Sequence, residues 1–69
     1  MNITVAGNKK EFEEGITIAD LISLEDVENP EYVTVTLNDD FLERARFELT
    51  VLKSGDEVEF LYFMGGGAF

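Results

Sequence analysis

The 69-residue chain contains no cysteine, histidine or tryptophan, and only one proline. Without cysteine it can form no disulfide and offers no thiolate nucleophile. Without histidine it lacks the commonest general base and the commonest transition-metal ligand. Basic residues are also scarce: five lysines and arginines stand against fifteen aspartates and glutamates, for a net charge of −10. These absences argue against an enzyme and against a nucleic-acid or anionic-membrane partner.

The composition is that of one small globular domain. Hydrophobic residues make up 45% of the chain, enough for a core and too many for a disordered segment. The longest apolar run, residues 60–64, is far shorter than a membrane span. The chain does not open with a basic and then an apolar segment, so we expect no signal peptide and a cytoplasmic location. The acidity favours a protein partner with a basic face, although it would also serve solubility alone.

The first residues predict a β-hairpin. Asn2–Val5 alternates polar and apolar residues as a half-buried strand does, which places Ile3 and Val5 inward. A turn at Gly7-Asn8 would lead into a return strand over residues 9–14. The many charges of this second strand are typical of a sheet edge.

A short helix is predicted after the hairpin. Thr17 is a good N-cap residue, and Asp20 three residues later resembles a capping box. The helix would end between residues 24 and 26. Four residues are predicted on its apolar face: Ile18, Leu21, Ile22 and Leu24.

The next part of the chain predicts a strand over residues 32–37, with Val33, Val35 and Leu37 inward, and a turn over residues 38–40. Residues 41–47 fit either a short strand or a helical turn. Gly55 is the expected positive-φ residue of a later turn. We also expect Leu49, Val51 and Leu52, which precede that turn, to contact the core.

The last strand is predicted over residues 57–63. One of its faces carries Val58, Phe60 and Tyr62. The other face changes from acidic to apolar at Leu61 and Phe63, so these two residues and Met64 are predicted to form a docking patch for a partner. A central strand that is buried on both faces is the alternative.

Three consecutive glycines, Gly65, Gly66 and Gly67, follow the predicted domain. Glycine packs no side chain and loses the most backbone freedom on ordering, so folding gives no reason for the run. A backbone without side chains suits a narrow channel in a partner. We therefore predict that residues 1–63 form a domain that presents a tail of residues 64–69. A loose end without function is the alternative.

Charged residues give weaker signals. The spacing of Asp39 and Asp40 matches no known metal-binding loop, so no metal site is predicted. No catalytic residue is predicted either. Arg44 and Arg46 are expected to pair at the surface with neighbouring glutamates, while contact with an acidic patch on a partner is the alternative.

The predicted element order matches the β-grasp fold, and several pieces of sequence resemble the thiamine-biosynthesis sulfur carriers. The pieces are Thr17-Ile18-Ala19-Asp20-Leu21, Val35-Thr36-Leu37-Asn38-Asp39-Asp40, Glu43-Arg44, Ser54-Gly55-Asp56-Glu57-Val58-Glu59 and Met64-Gly65-Gly66-Gly67. The resemblance covers essentially the whole chain, and the molybdopterin-synthase small subunits share the plan more loosely. It implies an α+β, ubiquitin-like fold in which a small mixed sheet packs on one main helix. Glu43 stands where such carriers often have proline.

The resemblance implies a carrier protein rather than an enzyme. In such carriers a ubiquitin-activating-like adenylyltransferase uses ATP and magnesium to adenylate the terminal glycine carboxylate, which is Gly67 here. Gly65, Gly66 and Gly67 would thread the channel of that partner. A sulfur donor protein then yields a thiocarboxylate, which gives sulfide to thiazole synthase or another acceptor enzyme. The carrier itself binds no cofactor.

The family works with a C-terminal Gly-Gly, whereas this chain continues to Ala68 and Phe69. We therefore predict that a peptidase removes these two residues, an artificial extension being the alternative. Thiazole synthesis is the expected pathway; homocysteine or cysteine synthesis and molybdopterin synthesis are alternatives. A ubiquitin-like module that binds noncovalently, or a protein modifier, would share the fold.

Overall fold

The computed structural model describes residues 1–62, which form five strands, one α-helix and one 3-10 helix. The elements are β1 (Asn2–Val5), β2 (Asn8–Glu11), α1 (Ile18–Leu24), β3 (Thr34–Leu37), β4 (Asp40–Leu42), the 3-10 helix (Arg44–Arg46) and β5 (Glu57–Leu61). The strands form one mixed sheet in the order β2-β1-β5-β3-β4. β1 and β5 run parallel, and the other neighbours are antiparallel. The predicted α+β, β-grasp architecture is confirmed.

The core lies between α1 and one face of the sheet. Ile3 and Val5 point into it from β1, as predicted, and are at most 2% exposed. The buried apolar residues are Ile3, Val5, Ile18, Leu21, Val33, Val35, Phe47, Leu52 and Val58. The three inner strands, β1, β3 and β5, thus each direct one face to the core, whereas β2 and β4 at the sheet edges contribute none of these buried residues.

The capping box at the start of α1 is confirmed. The Asp20 amide donates to the Thr17 hydroxyl at 3.2 Å, and the Thr17 amide donates to the Asp20 carboxylate at 3.0 Å. The amides of Ile18 and Ala19, which have no acceptor within the helix, donate to the main-chain carbonyls of residues 50 and 47, respectively. The prediction of Leu24 on the apolar face is wrong, because its side chain in the last turn is 62% exposed.

The first hairpin turns one residue earlier than predicted. Val5 pairs with Asn8, so the two turn residues are Ala6 and Gly7, with φ of 50° and 84°. Two positive φ values match the right-handed twist of the flanking strands. β2 ends at Glu11, short of the predicted end at residue 14, and lies at the sheet edge as predicted.

The second hairpin joins β3 to β4. β3 begins at Thr34, two residues later than predicted, and its turn consists of Asn38 and Asp39, with φ of 51° and 72°. Asp40 is already the first residue of β4. Both interpretations of residues 41–47 apply in part, because β4 ends at Leu42 and the 3-10 helix follows.

The link to β5 buries fewer residues than predicted. Leu52 is 3% exposed, whereas Leu49 is 74% and Val51 53% exposed. Val51 forms an isolated antiparallel bridge with Thr17. Because neighbouring side chains of an extended segment point to opposite sides, the inward Leu52 leaves Val51 outward. Gly55 has a φ of 94°, as its predicted turn requires.

Candidate functional site

The strand that leads to the C-terminal segment lies in the middle of the sheet. β5 pairs with β1 on one side and with β3 on the other, and it ends at Leu61 rather than at the predicted residue 63. The predictions for Phe63, Met64, the three glycines, Ala68 and Phe69 lie outside the described residues. The candidate site is therefore the surface around the end of β5.

Leu61 lies on the sheet face that points away from α1. It pairs directly with Thr34, whereas the core residues Val35 and Val58 belong to the opposite face. Leu61 is half-buried. Its proposed contact with a partner stays a prediction, and the structure shows which residues surround it.

Phe41 lies on the same face and was not predicted as a site residue. It pairs with Thr36 of β3, which in turn pairs with Glu59 of β5. The Phe41 ring is 71% exposed. We call Thr34, Thr36, Phe41 and Leu61 the outer-face patch. The signal for Phe41 was present in the sequence, since a two-residue turn at Asn38-Asp39 fixes the pairing of residues 36 and 41.

Carboxylates border the outer-face patch. Glu57 and Glu59 are exposed, and the alternation along β5 places them on the same face as Leu61. Among residues 1–62 one ion pair is found, between Lys10 and Glu25 at 2.9 Å. All fifteen acidic residues lie in this part of the chain, so most of the negative charge has no cation beside it.

Arg44 does not form the predicted surface ion pair. Its guanidinium donates to the main-chain carbonyls of Pro30 at 2.7 Å, Glu31 at 2.5 Å and Val33 at 3.4 Å. It also lies 5.5 Å from the centroid of the Phe47 ring. The planar guanidinium can serve several acceptors at once, and here it holds the segment that leads into β3.

Tyr62 follows β5 directly and points to the α1 side of the sheet. Its hydroxyl donates to the main-chain carbonyl of Glu28 at 2.6 Å, across 34 residues of sequence. Its side chain is 43% exposed. Within residues 1–62, no three or more carboxylates are arranged to hold a metal ion. No helix in that part of the chain is long and apolar enough to span a membrane.

Comparison with known proteins gives the family. The model of the ThiS family matches residues 2–67, which takes in the β-grasp domain and the whole glycine run. A comparison with curated proteins found no match. Two solved structures from Geobacter metallireducens are similar to this chain. The crystal structure of its thiamine biosynthesis protein (ThiS) is 49% identical, covers 97% of this chain and 100% of that chain, and gives a TM-score of 0.90.

The solution NMR structure of a thiamine biosynthesis protein from the same organism is 48% identical. It covers 100% of this chain and 91% of that chain, with a TM-score of 0.77. Both similarities extend over nearly the full length at high identity, and the family match reaches the third glycine. The chain belongs to the ThiS family.

Proposed function

We propose that this chain is a sulfur carrier of thiamine biosynthesis that carries sulfur as a thiocarboxylate on Gly67. The observation that carries the proposal is the ThiS family match over residues 2–67, which ends at Gly67. The similar proteins of Geobacter metallireducens support the pathway. The chain acts as a co-substrate of its partners, which supply the catalytic groups.

The chemistry requires an activated carboxylate, because a free carboxylate is inert to sulfur nucleophiles. A carboxylate oxygen of Gly67 attacks the α-phosphorus of ATP, and pyrophosphate leaves. A donor protein then supplies sulfur at the oxidation level of sulfide, which attacks the carbonyl carbon, so that AMP leaves and a thiocarboxylate remains. Thiazole synthase takes the sulfide from this group, and the Gly67 carboxylate is regenerated. ATP and magnesium are bound by the activating adenylyltransferase, in a site that must exclude water to protect the adenylate. We assign this exchange to the cytoplasm.

The length of the C-terminal segment limits where a partner can bind. From Tyr62 to Gly67 the chain spans at most about 16–18 Å when fully extended. The reacting carbonyl must reach a buried site within this distance. A partner therefore has to dock close to the end of β5, and glycines let the backbone pass a narrow channel.

The outer-face patch is the surface that we assign to this docking. It adjoins the end of β5, and its exposed Phe41 supplies an apolar anchor on β4, on the same face as Leu61 but across β3 from it. Phe63 and Met64 would extend the patch along the C-terminal segment. Glu57 and Glu59 at its border favour a partner surface that carries lysine or arginine.

We further propose that a peptidase removes the residues after Gly67, here Ala68 and Phe69, before Gly67 is adenylated. The family match stops at Gly67, and Phe69 adds a benzyl group beyond it. A channel shaped for bare backbone would reject such a side chain.

The test uses two forms of the chain, one ending at Gly67 and one ending at Phe69. Each is mixed with ATP, magnesium and the ubiquitin-activating-like adenylyltransferase of the same genome, and intact mass reports an added AMP. We expect AMP on the form that ends at Gly67 and none on the matched control. No AMP on the Gly67 form with any such enzyme would refute the carrier function. AMP on the Phe69 form would refute the need for removal.

A further inference from the structure

The base of the C-terminal segment is tied to the α1 side of the domain. The pairing of β5 with β3 ends at Leu61, which lies opposite Thr34. Tyr62 is the next residue, and its hydroxyl donates to the Glu28 carbonyl at 2.6 Å. Within the described residues, this bond is the tie nearest to the glycine run.

The loop that offers this carbonyl is itself held in place. Residues 27–33, which we call the clasp loop, form most of the connection from α1 to β3. The Tyr32 amide donates to the Asn29 carbonyl at 2.8 Å and closes a turn inside the loop. Arg44 reaches in from the 3-10 helix and binds three carbonyls of the second half of the loop.

Two side chains from separate, later parts of the chain thus contact the clasp loop. Arg44 shapes the loop, and Tyr62 uses the shaped loop as an anchor. We propose that the clasp loop, closed by Arg44 and bound by the Tyr62 hydroxyl, fixes the point at which the C-terminal segment leaves the domain. Tyr62 is then a positioning residue for the loading of Gly67. This inference rests on the proposed function.

The physical effect is a smaller number of residues between the last anchored residue and Gly67. With the clasp closed, four residues lie between the anchor at Tyr62 and Gly67, and without it the anchor moves back to Leu61, which leaves five. Fixing one more backbone residue in a partner's channel lowers the binding constant about 5- to 30-fold. A neutral hydrogen bond favours the closed state by about threefold to tenfold, which limits the gain. The chemical step at Gly67 takes place inside the partner and should not change.

The first experiment compares Tyr62→Phe with the parent chain, both ending at Gly67, in steady-state adenylation by the activating enzyme. We expect the KM for the carrier to rise about threefold to tenfold and kcat to stay within about twofold. Tyr32→Phe is the matched control, because Tyr32 lies in the same loop, is 75% exposed and makes no side-chain hydrogen bond within residues 1–62. An unchanged KM for Tyr62→Phe, or an equal rise for both variants, would overturn the proposal.

A double-mutant cycle tests whether Arg44 acts through the same loop. Arg44→Lys removes the fork that holds the clasp loop, so Tyr62→Phe should raise KM by less than about twofold in that background. Multiplicative effects of the two substitutions would show that they act separately and would contradict the shared clasp. Thermal midpoints of all variants are measured, and if the double variant does not fold, Tyr62→Phe alone decides.

Hydrogen exchange gives a readout that needs no partner enzyme. In the isolated chain, amides around the end of β5 should exchange about threefold to tenfold faster in Tyr62→Phe than in Tyr32→Phe. Equal exchange in the two variants would refute the clasp whatever the adenylation result. If Tyr62→Phe exchanges faster but no activating enzyme adenylates the parent chain, the proposed function is refuted. The anchoring of Tyr62 to the clasp loop would still hold in that case.

Discussion

At the scale of single residues, the turn of the first hairpin carries strain that its sequence could avoid. Ala6 takes a φ of 50°, a left-handed conformation that costs an L-residue about 1–2 kcal/mol. Gly7 beside it, with a φ of 84°, bears no such cost. The Ala6 side chain is exposed, so a larger polar residue has room there.

Ala6→Asn should therefore stabilise the domain. Asn-Gly is the preferred pair for a two-residue turn with two positive φ values, and we expect the free energy of unfolding to rise by about 0.5–1 kcal/mol. Denaturant unfolding measures the change. Ala45→Asn, at an exposed site in the 3-10 helix, is the control and should not stabilise. A destabilised Ala6→Asn would mean that the turn does not have this geometry.

At the scale of elements, β4 shows what sequence patterns could and could not give. The capping box placed α1, and strict alternation placed β1, because each signal is local. β4 has only three residues, and it is a strand because it pairs with β3. Alternation of polar and apolar residues over so short a run cannot predict that pairing. The inward placement of Val51 failed for a similar reason, since a single bridge to Thr17 sets its direction, while Leu49 lies in the turn after the 3-10 helix.

The candidate site was predictable only in part. The glycine run and the resemblance pointed to the C-terminal segment, and alternation along β5 separated Leu61 from Val58. The pairing of β4 with β3 places Phe41 on the same sheet face as Leu61, which alternation within either strand alone does not show. Arg44 and Tyr62 meet the clasp loop through contacts between distant parts of the chain, and no spacing rule in the sequence reports such contacts.

The outer-face patch yields a prediction at this scale. Phe41→Ser removes an exposed ring, so it should leave the thermal midpoint nearly unchanged. It should weaken binding of the chain ending at Gly67 to the activating enzyme by about 10-fold or more, as expected for an aromatic anchor. Binding is measured by calorimetry.

Leu49→Ser is the matched control for Phe41→Ser. Leu49 is equally exposed, at 74%, and lies in the link beside α1 rather than on the outer face. It should bind as the parent chain does. Equal weakening by both substitutions, or no weakening by Phe41→Ser, would contradict the assignment of the patch.

At the scale of the whole molecule, charge is the dominant property. The net charge is −10, and one ion pair is found among residues 1–62. A field of one sign over a small domain speeds the approach of a basic partner and repels other copies of the chain. The outer-face patch then supplies the contact that holds the partner in place.

Binding to the activating enzyme should therefore weaken with salt. Between about 0.1 M and 1 M sodium chloride the screening length falls from about 10 Å to about 3 Å, and we expect the association rate to fall about 10-fold or more. Stopped-flow fluorescence measures the rate. Phe41→Ser should show the same salt dependence, since it changes no charge. A rate that does not depend on salt would contradict electrostatic attraction.

The most direct measurement is the intact mass of this chain after isolation from its own cells under non-reducing, non-acidic conditions. We predict a population that ends at Gly67 and carries one sulfur in place of one carboxylate oxygen. Fragmentation should place that sulfur on the terminal glycine. Sulfur found on a chain that still ends in Phe69, or no sulfur on the Gly67 form during active thiamine synthesis, would contradict the account.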